Sequence, residues 1–171
     1  MSNIIRFNDK TPVDDWLCMS NGATDVFINI LVLSGSALAE TEDEKQMIVW
    51  LSEKDQHTLG FGTVGFDVVH MPWSNINFAS VKSFMLRVVD GALLKLNWNR
   101  LDYPPNEELV MPFLEKFKQY IDRMSEDDIL ENKRVKWLNT AEKDNPIKCG
   151  FPYCKKHGTL LSLFGCNLCN N

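Results

Sequence analysis

The sequence predicts a mainly α-helical protein, in which a single domain of four to five helices is followed by a small zinc-binding module. Three observations support this prediction. Apolar residues repeat at three- and four-residue steps in two segments, a capping motif begins a third helix, and four of the five cysteines fall within residues 149–169. We expect the helical domain to occupy residues 1–145 and the zinc-binding module to occupy residues 146–171.

The two strongest helical patterns lie in residues 78–96 and 109–124. Their apolar residues recur every three or four positions, and charged residues lie mostly between them. The second pattern follows Asn106, whose side chain can cap a helix. It also begins with Glu107 and Glu108, whose negative charges suit the N-terminal end of a helix. Both segments are therefore predicted to be amphipathic helices that pack on a common core.

A capping box predicts a further helix after Thr41. The threonine side chain can accept a hydrogen bond from the amide of Glu44, whose own side chain can return to the cap residue. We expect this helix to end near residues 55–58. Ser125 and the acidic residues after it predict a last short helix, which carries apolar residues as far as Leu138.

Two other segments are less clearly marked. Residues 24–40 have apolar spacing that suits a helix, but the β-branched run in residues 26–32 also suits a buried strand. The Ser-Gly-Ser sequence at residues 34–36 could bend or end such a helix. Residues 60–77 mix Gly and Pro with many apolar residues, so we expect a buried connection that holds a short strand or a helical turn.

Composition indicates a globular protein of the cytoplasm. The chain of 171 residues is 44% hydrophobic and 24% charged, as in ordinary folded domains. Its longest apolar stretch, residues 26–39, is shorter than the ~20 residues that a bilayer requires, and the N-terminus lacks the apolar core of a signal peptide. We therefore expect no membrane partner. Thiols stay reduced in the cytoplasm, which favours metal binding over disulfides for clustered cysteines.

Charge is distributed unevenly along the chain. Residues 1–131 carry a net charge of −10 and residues 132–171 one of +5, which together give −5. The acidic part repels phosphate and favours a basic protein partner, although acidic surfaces also serve solubility alone. Nucleic acid is the less favoured partner, and the basic residues that would contact it flank the cysteines: Lys133, Arg134, Lys155 and Lys156.

The C-terminal cysteines and one histidine have the spacing of a zinc site. The predicted ligands are Cys154, His157, Cys166 and Cys169. A pair of ligands separated by two residues lets one tight turn direct both toward the same ion. Such turns favour Gly or Asn after the second ligand, and Gly158 and Asn170 occupy those positions. Cys149 is a fifth candidate, which could replace one of these ligands. Because four protein ligands leave no open position, the zinc is predicted to be structural.

No motif predicts catalysis, and we expect a protein that is not an enzyme. Cys18 has apolar and acidic neighbours, which do not activate a thiol, so we predict a core position for it. Residues 60–65 match a glycine-rich nucleotide-binding pattern but lack the strand before it and the helix after it. Two histidines could each pair with an aspartate close in sequence, His57 with Asp55 and His70 with Asp67.

Several short segments resemble parts of small acidic bacterial proteins of unassigned function, some of which are immunity proteins that bind and block a toxin. They are Trp16-Leu17, Asn21-Gly22-Ala23, Glu44 to Leu51, Gly65-Phe66-Asp67, Met71-Pro72-Trp73 and the tail from Cys154 to Cys169. The resemblance implies a stoichiometric inhibitor without catalytic residues, whose basic partner would be a toxin. Trp16 and Trp73 are expected to reach the surface and to serve such an interface.

Overall fold

The structure is a computed structural model and describes residues 2–170. Five α-helices form most of it, as the sequence predicts, and their bounds are α1 Asn21–Leu38, α2 Glu42–Ser52, α3 Phe78–Leu93, α4 Glu107–Arg123 and α5 Glu131–Thr140. Helix α1 lies at the centre and packs against α2, α3 and α4, while α3 and α4 pack against each other. The amphipathic α3 and α4 place their apolar faces in the core, which confirms both patterns.

Helix α1 resolves the ambiguity of residues 24–40. It begins at Asn21, three residues earlier than predicted, because the Ser20 side chain caps it by accepting a bond from the Ala23 amide. The strand alternative is wrong. The Ser-Gly-Ser sequence does not interrupt the helix. The Ser34 hydroxyl donates to the Val88 carbonyl of α3 at 2.7 Å, so it does not compete for the backbone hydrogen bonds of α1. Gly35 lets α2 approach so closely that a Cβ there would overlap Ile48.

Helix α1 also explains a membrane-like feature of the sequence. Within residues 2–170 it is the helix that is long and apolar enough to cross a bilayer by length and composition alone. Because 67% of its residues are buried inside the protein, this apolarity is accounted for by contacts with the other helices. The protein is a globular fold, and α1 is its core helix.

The predicted capping box at Thr41 and Glu44 is present, and both of its hydrogen bonds form. Helix α2 ends at Ser52, earlier than expected, because the next residues form a β-hairpin. The last helix also differs from the prediction. Ser125 caps a separate 3-10 turn, and α5 begins only at Glu131.

Short strands complete the fold. Strands β1 Ser2–Arg6 and β2 Leu17–Ser20 are antiparallel, and β1 also pairs in parallel with β5 Phe66–Asp67. Strands β3 Asp55–Gln56 and β4 Gly62–Thr63 form the hairpin of residues 55–63. Residues 60–77 are thus a largely buried connection that contains short strands, as predicted. The N-terminal sheet has no counterpart in the sequence predictions.

The positions of Cys18 and Trp73 correct two predictions. In β2, Leu17 and Met19 face the core, so Cys18 between them points outward and is exposed. Trp73 is completely buried, and its indole N–H donates to the Val68 carbonyl at 2.9 Å. Trp16 is half-buried and donates to the Thr11 carbonyl. The predicted tryptophan interface is therefore wrong for Trp73.

The C-terminal segment after α5 packs on the helical body. Its Ile147, Phe151 and Leu160 join the main hydrophobic core, and Leu33 of α1 contacts Cys166 and Leu168. The contacts also include polar ones: the Leu160 amide donates to the Ser36 hydroxyl at 2.9 Å, and the Ser52 hydroxyl donates to the side-chain oxygen Oδ1 of Asn167. The predicted boundary between residues 145 and 146 stays a prediction.

Candidate metal centre

The structure brings together the four residues that the spacing predicts as ligands. One ligand atom from each of Cys154, His157, Cys166 and Cys169 lies within 4.8 Å of all the others. The Nδ1 atom of His157 is 3.7 Å from the Cys154 sulfur, 3.5 Å from the Cys166 sulfur and 3.3 Å from the Cys169 sulfur. The sulfurs of Cys154 and Cys169 are 3.8 Å apart.

These distances fit a tetrahedral zinc ion. With Zn–S bonds of about 2.3 Å and a Zn–N bond of about 2.0 Å, a tetrahedron separates two sulfurs by roughly 3.8 Å and a sulfur from a nitrogen by roughly 3.5 Å. The separations in the structure, 3.3–3.8 Å, agree with both values. The donor set of three thiols and one imidazole is also one that zinc prefers. The four residues could therefore hold a metal ion such as zinc.

The first ligand pair is carried by a tight turn. The Gly158 amide donates to the Cys154 carbonyl at 2.8 Å, and the Cys154 amide donates to the Thr159 carbonyl at 2.7 Å. Gly158 has a φ of +69°, which favours glycine, as predicted. Arg100 reinforces this requirement, because a Cβ on Gly158 would overlap its guanidinium group.

The turn that carries the second ligand pair, Cys166 and Cys169, is stabilised in a different way from the one predicted. Both the Cys169 and Asn170 amides donate to the Cys166 carbonyl at 3.1 Å. Asn170 does not have a positive φ. Its side chain instead donates to the Phe164 carbonyl at 3.0 Å and so ties the end of the chain to the turn before it. Gly165, with a φ of +90°, reverses the chain between the two pairs.

The surroundings act in opposite directions on the protonation states of two of the ligands, relative to what a metal needs. Desolvation, and then the charge of Lys156, lower the pKa of His157, which favours the neutral imidazole that binds metals. In the metal-free protein the pKa of the Cys169 thiol is raised, first by desolvation and then by Cys154 and Cys166. A cation would relieve this repulsion between thiolates. Metal binding must therefore release protons and weaken as the pH falls.

The fifth candidate, Cys149, lies outside the group. Its side chain is exposed, and its thiol contacts the Lys143 carbonyl at 3.4 Å.

Cys166 has a further partner that spacing alone does not reveal, the Thr159 hydroxyl at 3.2 Å from its sulfur. A hydroxyl donor at this distance can hold a thiolate in place.

Arg100 is a supporting residue that sequence reasoning missed. It lies in the turn between α3 and α4, and its Nη1 donates to the His157 carbonyl at 2.7 Å. No motif identifies it, because it is 57 residues from its partner. This contact holds the turn that carries Cys154 and His157 against the helical body.

We expect Arg100→Met to weaken zinc binding about tenfold, because residues that orient metal ligands contribute 10- to 100-fold in affinity. Competition with a chromophoric zinc chelator measures this change. Arg87→Met is the matched control, since Arg87 is exposed and its partners are a distant ion pair of 3.9 Å with Glu44 and the ring of Phe84, which lie outside the metal centre. Equal zinc affinity of the Arg100 variant and the native protein would show that the contact does not support the site.

Two other sequence candidates have different outcomes. His57 pairs with Asp55 as expected, with Nδ1 and Oδ1 2.5 Å apart. Asp67 instead binds Arg6 at 2.7 Å, so the proposed His70 pair does not form. The glycine-rich residues 60–65 lie in the hairpin and the turn after it, and they are followed directly by strand β5 and not by an α-helix. This arrangement does not form a phosphate-binding loop.

Comparisons of the chain with protein-family models, with curated proteins and with solved structures found no match.

Proposed function

We propose that the protein acts without catalysis, by binding a basic protein partner in the cytoplasm, and that this partner is a toxin which it blocks as an immunity factor. The observation that supports this proposal most is the tip of the hairpin of residues 55–63. Leu59 and Phe61 expose 52% and 69% of their surface there. Neighbouring large apolar side chains exposed on one turn form a patch of the kind that marks protein interaction sites.

The hairpin holds this tip in a defined conformation. Strand β3 pairs with β4, and the Asp55 carboxylate accepts a bond from the His57 amide at 3.1 Å. Gly60 closes the tip with a φ of +81°. A preformed tip loses little conformational entropy on binding, so more of its contact energy contributes to affinity.

The charge of the helical body supports a basic partner. Residues 1–131 carry a net charge of −10, which accelerates association with a cationic surface and repels nucleic acid. The basic C-terminal segment is a weaker candidate for an interface. Arg134, one of its cations, already forms ion pairs with Asp43 and Glu131.

The metal centre would serve this function indirectly. Four protein ligands would leave zinc no position for a substrate, so its contribution is structural. It would hold the C-terminal segment against α1, the helix that also supports the hairpin through β4. The proposed role of zinc is therefore stability of the binding-competent fold.

The test is capture of the partner from the native cells, followed by binding measurements with both purified proteins. We expect a fixed stoichiometry by native mass spectrometry, and an affinity that falls as salt concentration rises. Leu59→Ser with Phe61→Ser should lower the affinity at least tenfold, because hot-spot side chains contribute about 2 kcal/mol or more each. Co-expression should also protect cells from the captured toxin.

The matched control replaces two other exposed apolar residues, Ile76→Ser with Leu94→Ser, which are 89% and 83% exposed. Equal effects of the two double variants would contradict the assignment of the hairpin tip. Capture of nucleic acid instead, lost when Lys133, Lys155 and Lys156 are neutralised, would replace the proposed function by the nucleic-acid alternative.

A further inference from the structure

A second group of metal-type side chains lies at the base of the hairpin, on elements other than the C-terminal segment. Asp25 projects from α1, Asp55 belongs to β3, and His57 follows it. A carboxylate oxygen from each aspartate and a ring nitrogen of the histidine all lie within 4.8 Å of one another. The Thr63 hydroxyl on β4 is 3.5 Å from Asp25 Oδ1.

The burial of Asp55 indicates that this group is more than a surface cluster. Its side chain is only 1% exposed. One oxygen, Oδ1, contacts the backbone and ring nitrogens of His57 at 3.1 and 2.5 Å. The other, Oδ2, is buried and has no hydrogen-bond partner among residues 2–170. A buried carboxylate oxygen without a partner destabilises the fold, because its desolvation is not compensated.

The nearby protein cations do not compensate this charge. Among the ion pairs within residues 2–170, the one that includes Asp55 is formed with His57, and none joins it to a Lys or Arg. Two carboxylates within 4.8 Å also repel each other. The Nδ1 atom of His57 contacts the other oxygen, Oδ1, at 2.5 Å. A divalent cation held between Asp25 and Asp55 would reduce the repulsion of the two carboxylates, and it would give the buried Oδ2 a partner.

We propose that Asp25, Asp55 and His57 form a second divalent-cation site, which is chemically distinct from the C-terminal cluster. One imidazole and two carboxylates without sulfur are a ligand set for hard to borderline ions such as Mn²⁺. Water would occupy the remaining positions, since His57 is partly exposed. The ion would cross-link α1 to both strands of the hairpin. This inference does not depend on the proposed partner, because the site can be measured in the isolated protein.

Mn²⁺ is the suitable probe, because it binds thiolate sites poorly and is therefore not expected to occupy the C-terminal cluster. The full-length protein, loaded with one equivalent of Zn²⁺, is titrated with Mn²⁺ while the free Mn²⁺ signal is followed by electron paramagnetic resonance. We expect one bound Mn²⁺ per chain. Asp55→Asn should lower the affinity at least tenfold, and Asp144→Asn, which removes the same charge at an exposed position, should leave it unchanged.

His57→Gln tests the site independently of folding, since this partly exposed side chain can be replaced without disturbing the core. It should also lower Mn²⁺ affinity at least tenfold. Thermal unfolding gives a second readout: Mn²⁺ should raise the melting temperature of the native protein and leave that of both site variants unchanged. Absence of Mn²⁺ binding at millimolar concentration, or equal binding by the native protein and the His57 variant, would overturn the proposal.

Discussion

Cys166→Ser is expected to reduce bound zinc from one equivalent to almost none. The Cys166 sulfur is 3.5 Å from His157 Nδ1 and 4% of the residue is exposed, so no other side chain can replace it without rearrangement of the turn. Structural zinc binding provides about 10–16 kcal/mol in comparable small modules, and the missing thiolate removes a large part of it. Inductively coupled plasma mass spectrometry of the purified protein measures the zinc content.

The same substitution should loosen the C-terminal segment selectively. Leu33 contacts Cys166 and Leu168, and the Leu160 amide is bonded to Ser36. Without the metal, hydrogen exchange should become fast in residues 149–170, whereas the interface of α3 and α4 should keep its protection. Cys18→Ser and Cys149→Ser are matched controls, because both cysteines are exposed and lie outside the ligand group. Retention of zinc by the Cys166 variant would show that the ligand set is wrong.

Gly65→Ala is expected to be the most damaging single-methyl change in the helical body. A Cβ at this position would overlap the Ile4 carbonyl oxygen and lie 2.8 Å from the Ile4 carbonyl carbon and nitrogen. These are backbone atoms of β1, which cannot move aside as a flexible side chain can. Overpacking of this kind destabilises by about 3 kcal/mol, which for a chain of this size lowers the melting temperature by about 6–12 °C.

Gly22→Ala provides the control for this substitution. Gly22 lies in the first turn of α1, and apart from its two neighbours and the backbone of that turn, no atom of residues 2–170 lies within 4 Å of where its Cβ would be. Because alanine favours a helix more than glycine does, this change should be neutral or slightly stabilising. Calorimetry of both variants compares the two sites. A similar melting temperature for the two variants would contradict the close approach of residue 65 to β1.

The helices could be predicted because their signals are local. Apolar periodicity in α3 and α4, the Asn106 cap and the Thr41 capping box all lie within the segments they describe. The sheet could not be predicted in this way. Strand β1 pairs with residues 17–20 and with two residues near position 66, and strands this short leave no clear alternation in the sequence.

The metal centre shows the same division between local and distant information. Its four ligands follow from their spacing within 16 residues, since each pair is carried by one turn. Arg100, which supports the first turn, is 57 residues away in sequence from its partner His157. The Asp25 carboxylate reaches the hairpin through the packing of α1 on β4. These elements are distant in sequence, so the position of this carboxylate could not be predicted from local patterns either. The surface position predicted for Trp73 is wrong because the whole segment around it is buried, including Met71 and Ser74.

The packing of the C-terminal segment on α1 has a consequence for biosynthesis. Residues 154–170, which are translated long after α1, cover Leu33 and Ser36 of that helix. Since a chain leaves the ribosome from its N-terminus, that side of α1 stays uncovered until residues 154–170 have emerged. This part of the core is therefore completed well after α1 itself has been made. When cellular zinc is scarce, newly made chains would remain at this stage, with an apolar strip accessible to chaperones and proteases.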